Sequence, residues 1–473
     1  DGFTYSIQLN YGYAVIKSVD QNKTGVVEIP AIIADNHPVT IARGAFRGCK
    51  MTELILPDSV TTINSEAFED CKNLTTIHFP ASFTDFHGKS ENDGDNSGLN
   101  SWIKGCDSLK EFTINEDNPY YKSVNGMIYS KDGKTIGPVP PAISFDSIDF
   151  DGITAIGDFA FCGRETQKAN IEIPSQIASI GDYAFCSYGG SEYDENYDGV
   201  VHIKLHEGLI SIGDYAFSNM YHLEEIDLPD SLITLGKGAF YSDDNLQSIV
   251  IPPKVTTISD ALFKECYNLK SVILPDGITE IGQWAFYGPK NLISVHLPPS
   301  LKRIDDHAFQ YFGLALDKNS IGLRSIEIPD SVEYIGESAF QGNKNLKHAT
   351  LSKNLKKIEP HSFEDCGLVS LEIPEGVTEI GEEAFAYNAL TAVKMPDTLL
   401  KIGNGAFRSG FVYDFREGKK SVKIPEHVTE IGAAAFYDCL LSDIELPNHL
   451  ISCDFLAFSG NHLSSVVFPE GTT

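Results

Sequence analysis

The residue types that most often perform chemistry are present in this chain, but they do not form a catalytic pattern. Its 13 histidines are scattered. The sequence contains no H-E-x-x-H, G-x-S-x-G, G-x-x-x-x-G-K-[ST] or G-x-G-x-x-G motif. Those spacings align metal ligands, a nucleophile or phosphate-binding backbone groups. The sequence therefore predicts a protein that is not an enzyme, with no cofactor and no metal ligands.

Two acidic inserts carry the oxygen ligands that calcium prefers. They span residues 90–98, with Asp93 and Asp95, and residues 192–198. Neither has the D-x-[DN]-x-[DN]-G spacing and the distant Glu of an EF-hand loop. We favour solvated loops over calcium sites for both inserts.

Six of the nine cysteines share one sequence position, three residues after a recurrent phenylalanine or its replacement. A recurrent position indicates packing, because a free cysteine behaves as a small buried hydrophobe. The sequence leaves a disulfide between Cys49 and Cys71, or between Cys162 and Cys186, as an open alternative, since neighbouring coils lie about 5 Å apart. The odd count and the recurrent position favour free thiols.

The elements that position these residues are copies of one short repeat. Residues 269–286 show it as L-x-x-V-x-L-P followed by I-x-x-I-G-x-x-A-F, and the phenylalanine recurs mostly every 22 or 23 residues. The segment before the proline alternates with period two and predicts a short parallel strand. The chain has 473 residues, whereas a single hydrophobic core stops growing at roughly 250–300 residues. Stacked coils have no such limit.

This pattern resembles the BspA-like, or TpLRR-type, leucine-rich repeat family over about residues 28–469. The resemblance implies a repeat solenoid, a right-handed arc with a concave parallel β-sheet and a convex side that is irregular or built from short helices or strands. It also implies an exported or surface-displayed bacterial protein that adheres to or binds host proteins. A fold resemblance implies a partner only weakly.

The predicted domains are an N-terminal β-hairpin cap at residues 1–44 and a solenoid of about 16 coils at residues 45–473. Alternating residues on both sides of the turn-rich segment 10–12 indicate the cap, which a solenoid needs at its end. A degenerate, hairpin-containing segment is expected around residues 113–150, where Asn-Gly and Asp-Gly turns occur.

Residues two and four positions before each repeat proline should point away from the core, because side chains alternate across a strand. In the most regular part of the chain, two neighbouring copies place apolar residues there, flanked by polar ones. Such a patch has the anatomy of a contact site with a polar rim, although β-branched residues also favour strands for their own sake. The candidate partner-binding residues are Val250, Ile273, Asp227, His296, Ser248 and Ser271.

The amino-acid composition restricts the classes of partner that the protein can bind. The chain has 66 acidic and 36 basic residues and a net charge of −30, which opposes binding to nucleic acid or to an anionic membrane surface. No apolar run is long enough to span a membrane, and we expect that any export signal has been removed. We expect a cell-surface or extracellular protein that binds a protein, or alternatively a glycan.

A second hypothesis is a structural spacer or assembly module of a surface layer. It rests on residues 466–468, a strand-like apolar segment with no polar cap after it.

Overall fold

The computed structural model describes residues 5–10, 13–30, 38–88, 102–163, 170–186, 200–311, 322–411 and 421–473. The chain divides into two compact units, Asp1–Asp244 and Asn245–Thr473. Each unit is a solenoid of short coils built almost wholly from parallel strands, as the repeat predicts. The predicted boundary between a cap at 1–44 and a solenoid at 45–473 stays a prediction.

The described strands of the first unit are β1 (Tyr5–Asn10), β2 (Tyr13–Val19), β3 (Gly25–Glu28), β4 (Val39–Ile41), β5 (Met51–Ile55), β6 (Val60–Asn64), β7 (Thr76–Phe79), β8 (Asp85–Gly88), β9 (Glu111–Ile114), β10 (Tyr121–Val124), β11 (Met127–Ser130), β12 (Thr135–Ile136), β13 (Ala155–Ile156), β14 (Asn170–Glu172), β15 (Ser179–Ile180), β16 (His202–Lys204), β17 (Ser211–Ile212), β18 (Glu225–Asp227) and β19 (Thr234–Leu235). A short 3-10 helix at Phe145–Ser147 interrupts them.

The described strands of the second unit are β20 (Ser248–Val250), β21 (Thr257–Ile258), β22 (Ser271–Ile273), β23 (Glu280–Ile281), β24 (Arg303–Ile304), β25 (Ser325–Glu327), β26 (Tyr334–Ile335), β27 (His348–Thr350), β28 (Lys357–Ile358), β29 (Ser370–Glu372), β30 (Glu379–Ile380), β31 (Ala392–Lys394), β32 (Lys401–Ile402), β33 (Ser421–Lys423), β34 (Glu430–Ile431), β35 (Asp443–Glu445) and β36 (Ser452–Cys453). Within the described residues, no helix is both long and apolar enough to cross a lipid bilayer.

Two series of parallel strands run through each unit. We call the strands that precede the repeat proline the proline ladder, and those that precede the repeat glycine the glycine ladder. In the second unit the proline ladder consists of the separate pairs β20–β22, β25–β27, β29–β31 and β33–β35, whereas the glycine ladder forms a four-stranded and a five-stranded sheet. The parallel pairing is confirmed, but the proline ladder is interrupted and is not one continuous sheet.

The glycine ladder forms longer sheets than the proline ladder in the second unit, and its coils approach each other closely. A Cβ on Gly403 would lie 2.8 Å from the carbonyl carbon of Gly381 in the preceding coil, a distance that real side chains do not adopt. At Gly403 the close approach of the neighbouring backbone therefore leaves no room for a side chain.

The phenylalanine column forms the core, as the repeat predicts. Phe286 is 2 % exposed, and its ring stacks 5.4 Å from that of Phe263 and 5.0 Å from that of Phe309. The same stacking runs through the first unit, where the Phe161 and Phe185 rings are 4.9 Å apart. Each coil thus buries its aromatic ring against the next coil.

Three antiparallel strand pairs are described in the first unit, and one of them joins β11 to β12. β1 and β2 form another, and β2 then pairs in parallel with β4. β10 and β11 form the third, joined by Asn125 and Gly126, both with positive φ (51° and 79°). The Asn-Gly sequence predicts this turn, since both central residues of a type I′ turn need positive φ.

Eight of the nine cysteines fall into two groups. Those at the recurrent position are buried thiols outside any disulfide, and Cys71 and Cys366 donate hydrogen bonds from Sγ to the phenylalanine carbonyl of the preceding coil at 2.9 and 3.1 Å. Cys162 and Cys186 form a disulfide, with their Cα atoms 4.6 Å apart. The expectation of free thiols is therefore wrong for this pair, which directly follows the phenylalanine in two successive coils.

Candidate partner-binding site

Strands β20 and β22 present the apolar pair that the sequence predicts. Their middle residues point inward, Ile249 being 3 % exposed and Val272 7 % exposed. Their last residues point outward, and Val250 is 57 % and Ile273 60 % exposed. The period-two alternation of a strand over a packed core imposes this arrangement.

The register of the two strands brings four of the predicted residues together. Val250 pairs with Ile273, and Ser248 pairs with Ser271. Neighbouring strands lie about 4.7–4.9 Å apart, so paired side chains on one face are adjacent. The result is an apolar pair beside two exposed serines, which we call the apolar patch.

The other two predicted residues are placed differently. Asp227 lies in the first unit, exposed at the end of β18 and paired in register with Lys204. His296 lies in the second unit and is exposed, between the buried Val295 and Leu297. It keeps the outward orientation, but residues 293–298 are not a strand, so no ladder register joins His296 to Ile273.

Three other outward pairs of the proline ladder consist of oppositely charged side chains in contact. Glu372 and Lys394 are 2.5 Å apart in the second unit, and their hydrogen bond raises the pKa of Lys394. Lys423 and Glu445 are 3.5 Å apart. In the first unit, Lys204 lies 2.8 Å from Glu172, and the hydrogen bond lowers the pKa of Glu172. The apolar patch differs from these pairs in having no charge.

A hollow of about 530 Å³ lies where β27 and β29 belong to different sheets. The sequence predicts which side chains point outward. It does not predict the gap in strand pairing between β27 and β29, because the repeat pattern does not show where pairing stops. Polar and charged side chains line much of the hollow: His348, Thr350, Lys353, Ser370, Glu372 and Glu375.

The two acidic inserts, residues 90–98 and 192–198, lie outside the described residues. The preference for solvated loops over calcium sites at both inserts therefore stays a prediction. In the described part of the chain, one group of histidine and carboxylate side chains could hold a metal ion, and it lies away from the proline ladder.

Solved structures with similar repeats come from several bacteria. A leucine-rich repeat protein from Bacteroides ovatus is 23% identical, with 90% of this chain and 94% of that chain covered and a TM-score of 0.41. A leucine rich cell surface protein from Faecalibacterium prausnitzii is 23% identical, with coverage of 94% and 93% and a TM-score of 0.37. No curated protein sequence matches the chain.

The family follows from the repeat sequence itself. The model of the BspA type leucine rich repeat region matches in six copies. Together these copies span residues 27–90, 142–195, 195–315, 318–416 and 411–473. These matches cover well over half of the chain and coincide with the coils of both units. The chain therefore belongs to the BspA-type leucine-rich repeat family.

Proposed function

We propose that this protein is a non-enzymatic recognition protein, exported or displayed at a cell surface, that binds a protein partner through the outward face of the proline ladder. The observation that carries the proposal is the apolar patch. Val250 and Ile273 are more than half exposed, and no charged pair like those of β29–β31 or β33–β35 covers their position. An apolar centre beside polar side chains is typical of protein contact sites.

Charge supports the choice of partner. A net charge of −30 repels nucleic acid and anionic lipid and attracts basic protein surfaces. Membership of a repeat family that includes surface proteins supports export or surface display, and adhesion to host proteins is the expected role. The polar and charged side chains that line part of the hollow at β27 and β29 support a glycan as the second class of ligand.

A binding screen tests the proposal. The immobilised chain would be exposed to purified extracellular-matrix proteins and mucins, and each binding constant compared with that of the double variant Val250→Asp, Ile273→Asp. We expect the double variant to bind a protein partner at least about tenfold more weakly, because a central contact residue contributes roughly 2 kcal/mol or more.

Leu400→Asp is the matched control, because Leu400 is 48 % exposed in the same unit but lies outside the proline ladder. It should bind like the original chain. Equal binding by the original chain and the double variant would overturn the assignment to the apolar patch. Loss of binding only on trimming residues 188–198 would place the site on the inserted loop.

The spacer hypothesis rests on Val467, which is 82 % exposed, and on Phe468, which is 46 % exposed. The predicted strand-like segment at residues 466–468 is not a strand in the structure, so this observation favours assembly less than the two strands of the apolar patch, which pair in register, favour recognition. Light scattering over a wide concentration range separates the two. We expect a constant particle mass, whereas growth that Val467→Asp abolishes would favour assembly.

A further inference from the structure

Three side chains from two successive coils of the second unit converge at the turn that follows the glycine ladder. They are His361, Glu364 and Glu383, and one potential ligand atom from each lies within 4.8 Å of the others. The Nδ1 atom of His361 is 2.8 Å from Oε2 of Glu364 and 4.0 Å from Oε2 of Glu383. Sequence analysis predicted no metal ligand, because residues from separate coils match no linear motif.

The backbone of this turn is fixed in both coils. His361 and Glu383 occupy the same repeat position, two residues before the phenylalanine, and both have positive φ (56° and 46°). The N–H groups of His361 and Phe363 donate to the carbonyls of Glu382 and Ala384, at 2.8 and 2.9 Å. These backbone hydrogen bonds join the two coils at the turn that carries the three side chains.

Both carboxylates are also oriented by groups outside the cluster. Gln341 donates from Nε2 to Oε2 of Glu364 at 2.5 Å, and the Gln310 side chain in turn donates to Oε1 of Gln341. Nη1 of Arg408 lies 3.5 Å from Oε1 of Glu383, which leaves the Oε2 atom on the side of His361. Outer partners of this kind commonly orient the ligands of metal sites.

The cluster is partly withdrawn from water. The side chain of Glu364 is 13 % exposed and that of Glu383 24 %. The Arg408 guanidinium offsets part of the negative charge of Glu383, and a divalent cation between the three side chains would balance the rest.

We propose that His361, Glu364 and Glu383 bind a divalent transition-metal ion of the Zn²⁺ type, with water completing the coordination. An imidazole nitrogen and two carboxylate oxygens suit Zn²⁺, whereas Ca²⁺ takes six to eight oxygen ligands and Mg²⁺ keeps several waters. The ion would join two successive coils. This inference does not rest on the proposed recognition function.

The test is Zn²⁺ titration of the full chain by calorimetry, repeated with Co²⁺ so that its absorption reports the ligand set. We expect one Zn²⁺ site whose affinity falls at least about tenfold in His361→Gln and in Glu383→Gln. Both replacements are close in shape to the original side chain, and a thermal melt without metal checks that each variant folds.

His206→Gln is the matched control. Nε2 of His206 is also 2.8 Å from a carboxylate, that of Glu172, but the same oxygen lies 2.8 Å from Nζ of Lys204 in place of a second acid. Its Zn²⁺ affinity should equal that of the original chain. The proposal is overturned if the chain binds no Zn²⁺, if His361→Gln and Glu383→Gln retain the original affinity, or if His206→Gln weakens binding equally.

Discussion

The strand pairs β20–β22 and β29–β31 lie in the same unit and share one backbone arrangement, yet they present different surfaces to solvent. Each pair is parallel and in register. At the last residue of each strand, the first pair carries Val250 and Ile273, and the second carries Glu372 and Lys394 in contact. The comparison shows that stacking fixes the inward residues of a coil and leaves the outward residues free to differ.

The largest expected effect follows from the inward side of this comparison. Phe286→Ala should lower the free energy of unfolding by about 3–5 kcal/mol, because it empties part of a stacked core between Phe263 and Phe309. Lys302→Ala, which removes an exposed side chain 3.9 Å from Glu333, should change it by no more than about 0.5 kcal/mol. Urea unfolding of both variants makes the comparison, and similar losses would contradict the inward and outward assignments.

A smaller effect is expected at Asp243, which occupies the position that asparagine holds in other coils. Asn388 donates from Nδ2 to the carbonyls of Phe363 and Phe385, at 2.9 and 3.0 Å. Asp243 accepts a hydrogen bond from the Met220 N–H at 2.9 Å, and its Oδ2 is buried without a partner. Burial raises the pKa of Asp243 well above its usual range.

Because the pKa of Asp243 is raised in the folded chain, the stability that its bound proton contributes is fully present below the unfolded value of about 4 and is lost as pH rises through the folded value. Asp243→Asn should therefore stabilise the protein at pH 7 by about 1–3 kcal/mol, and by much less at pH 4. Melting curves at both pH values measure this. Asp276→Asn, an exposed position, is the control, and an equal gain for Asp243→Asn at both pH values would contradict the account.

The smallest effect is expected when one outward surface is converted into the other. The double change Glu372→Val, Lys394→Ile copies the apolar patch onto β29–β31. An exposed ion pair contributes little to stability, so the melting temperature should move by less than about 2 °C. A large shift in thermal melting would mean that the outward pairs help to specify the fold.

The sequence predicts well those features that one coil repeats. The phenylalanine column, the strand before the proline and the outward position of Val250 each depend on local spacing and on alternation across a strand. The Asn125–Gly126 turn depends on two residues with a known backbone preference. All of these are present in the structure.

Features that depend on the contact between coils could not be predicted in the same way. The sequence does not favour the Cys162–Cys186 bridge, because most of the other cysteines share a recurrent packing position and this pair lies at a different one. To predict the hollow at β27 and β29, one would need to know where strand pairing stops, and the repeat pattern does not show this. The group formed by His361, Glu364 and Glu383 joins two turns. His361 and Glu383 have positive φ in these turns, and neither residue type marks such a turn in a sequence as glycine does.

The most direct test of the central claim is the double variant Val250→Thr, Ile273→Thr, measured for both unfolding and partner binding. Threonine keeps the β-branching that strands favour while making both outward positions polar. We expect the free energy of unfolding to stay within about 1 kcal/mol of the original chain and the affinity for a protein partner found in the screen to fall about tenfold or more. A loss of about 3 kcal/mol or more in unfolding, the size of a core truncation, with partner affinity unchanged, would contradict it.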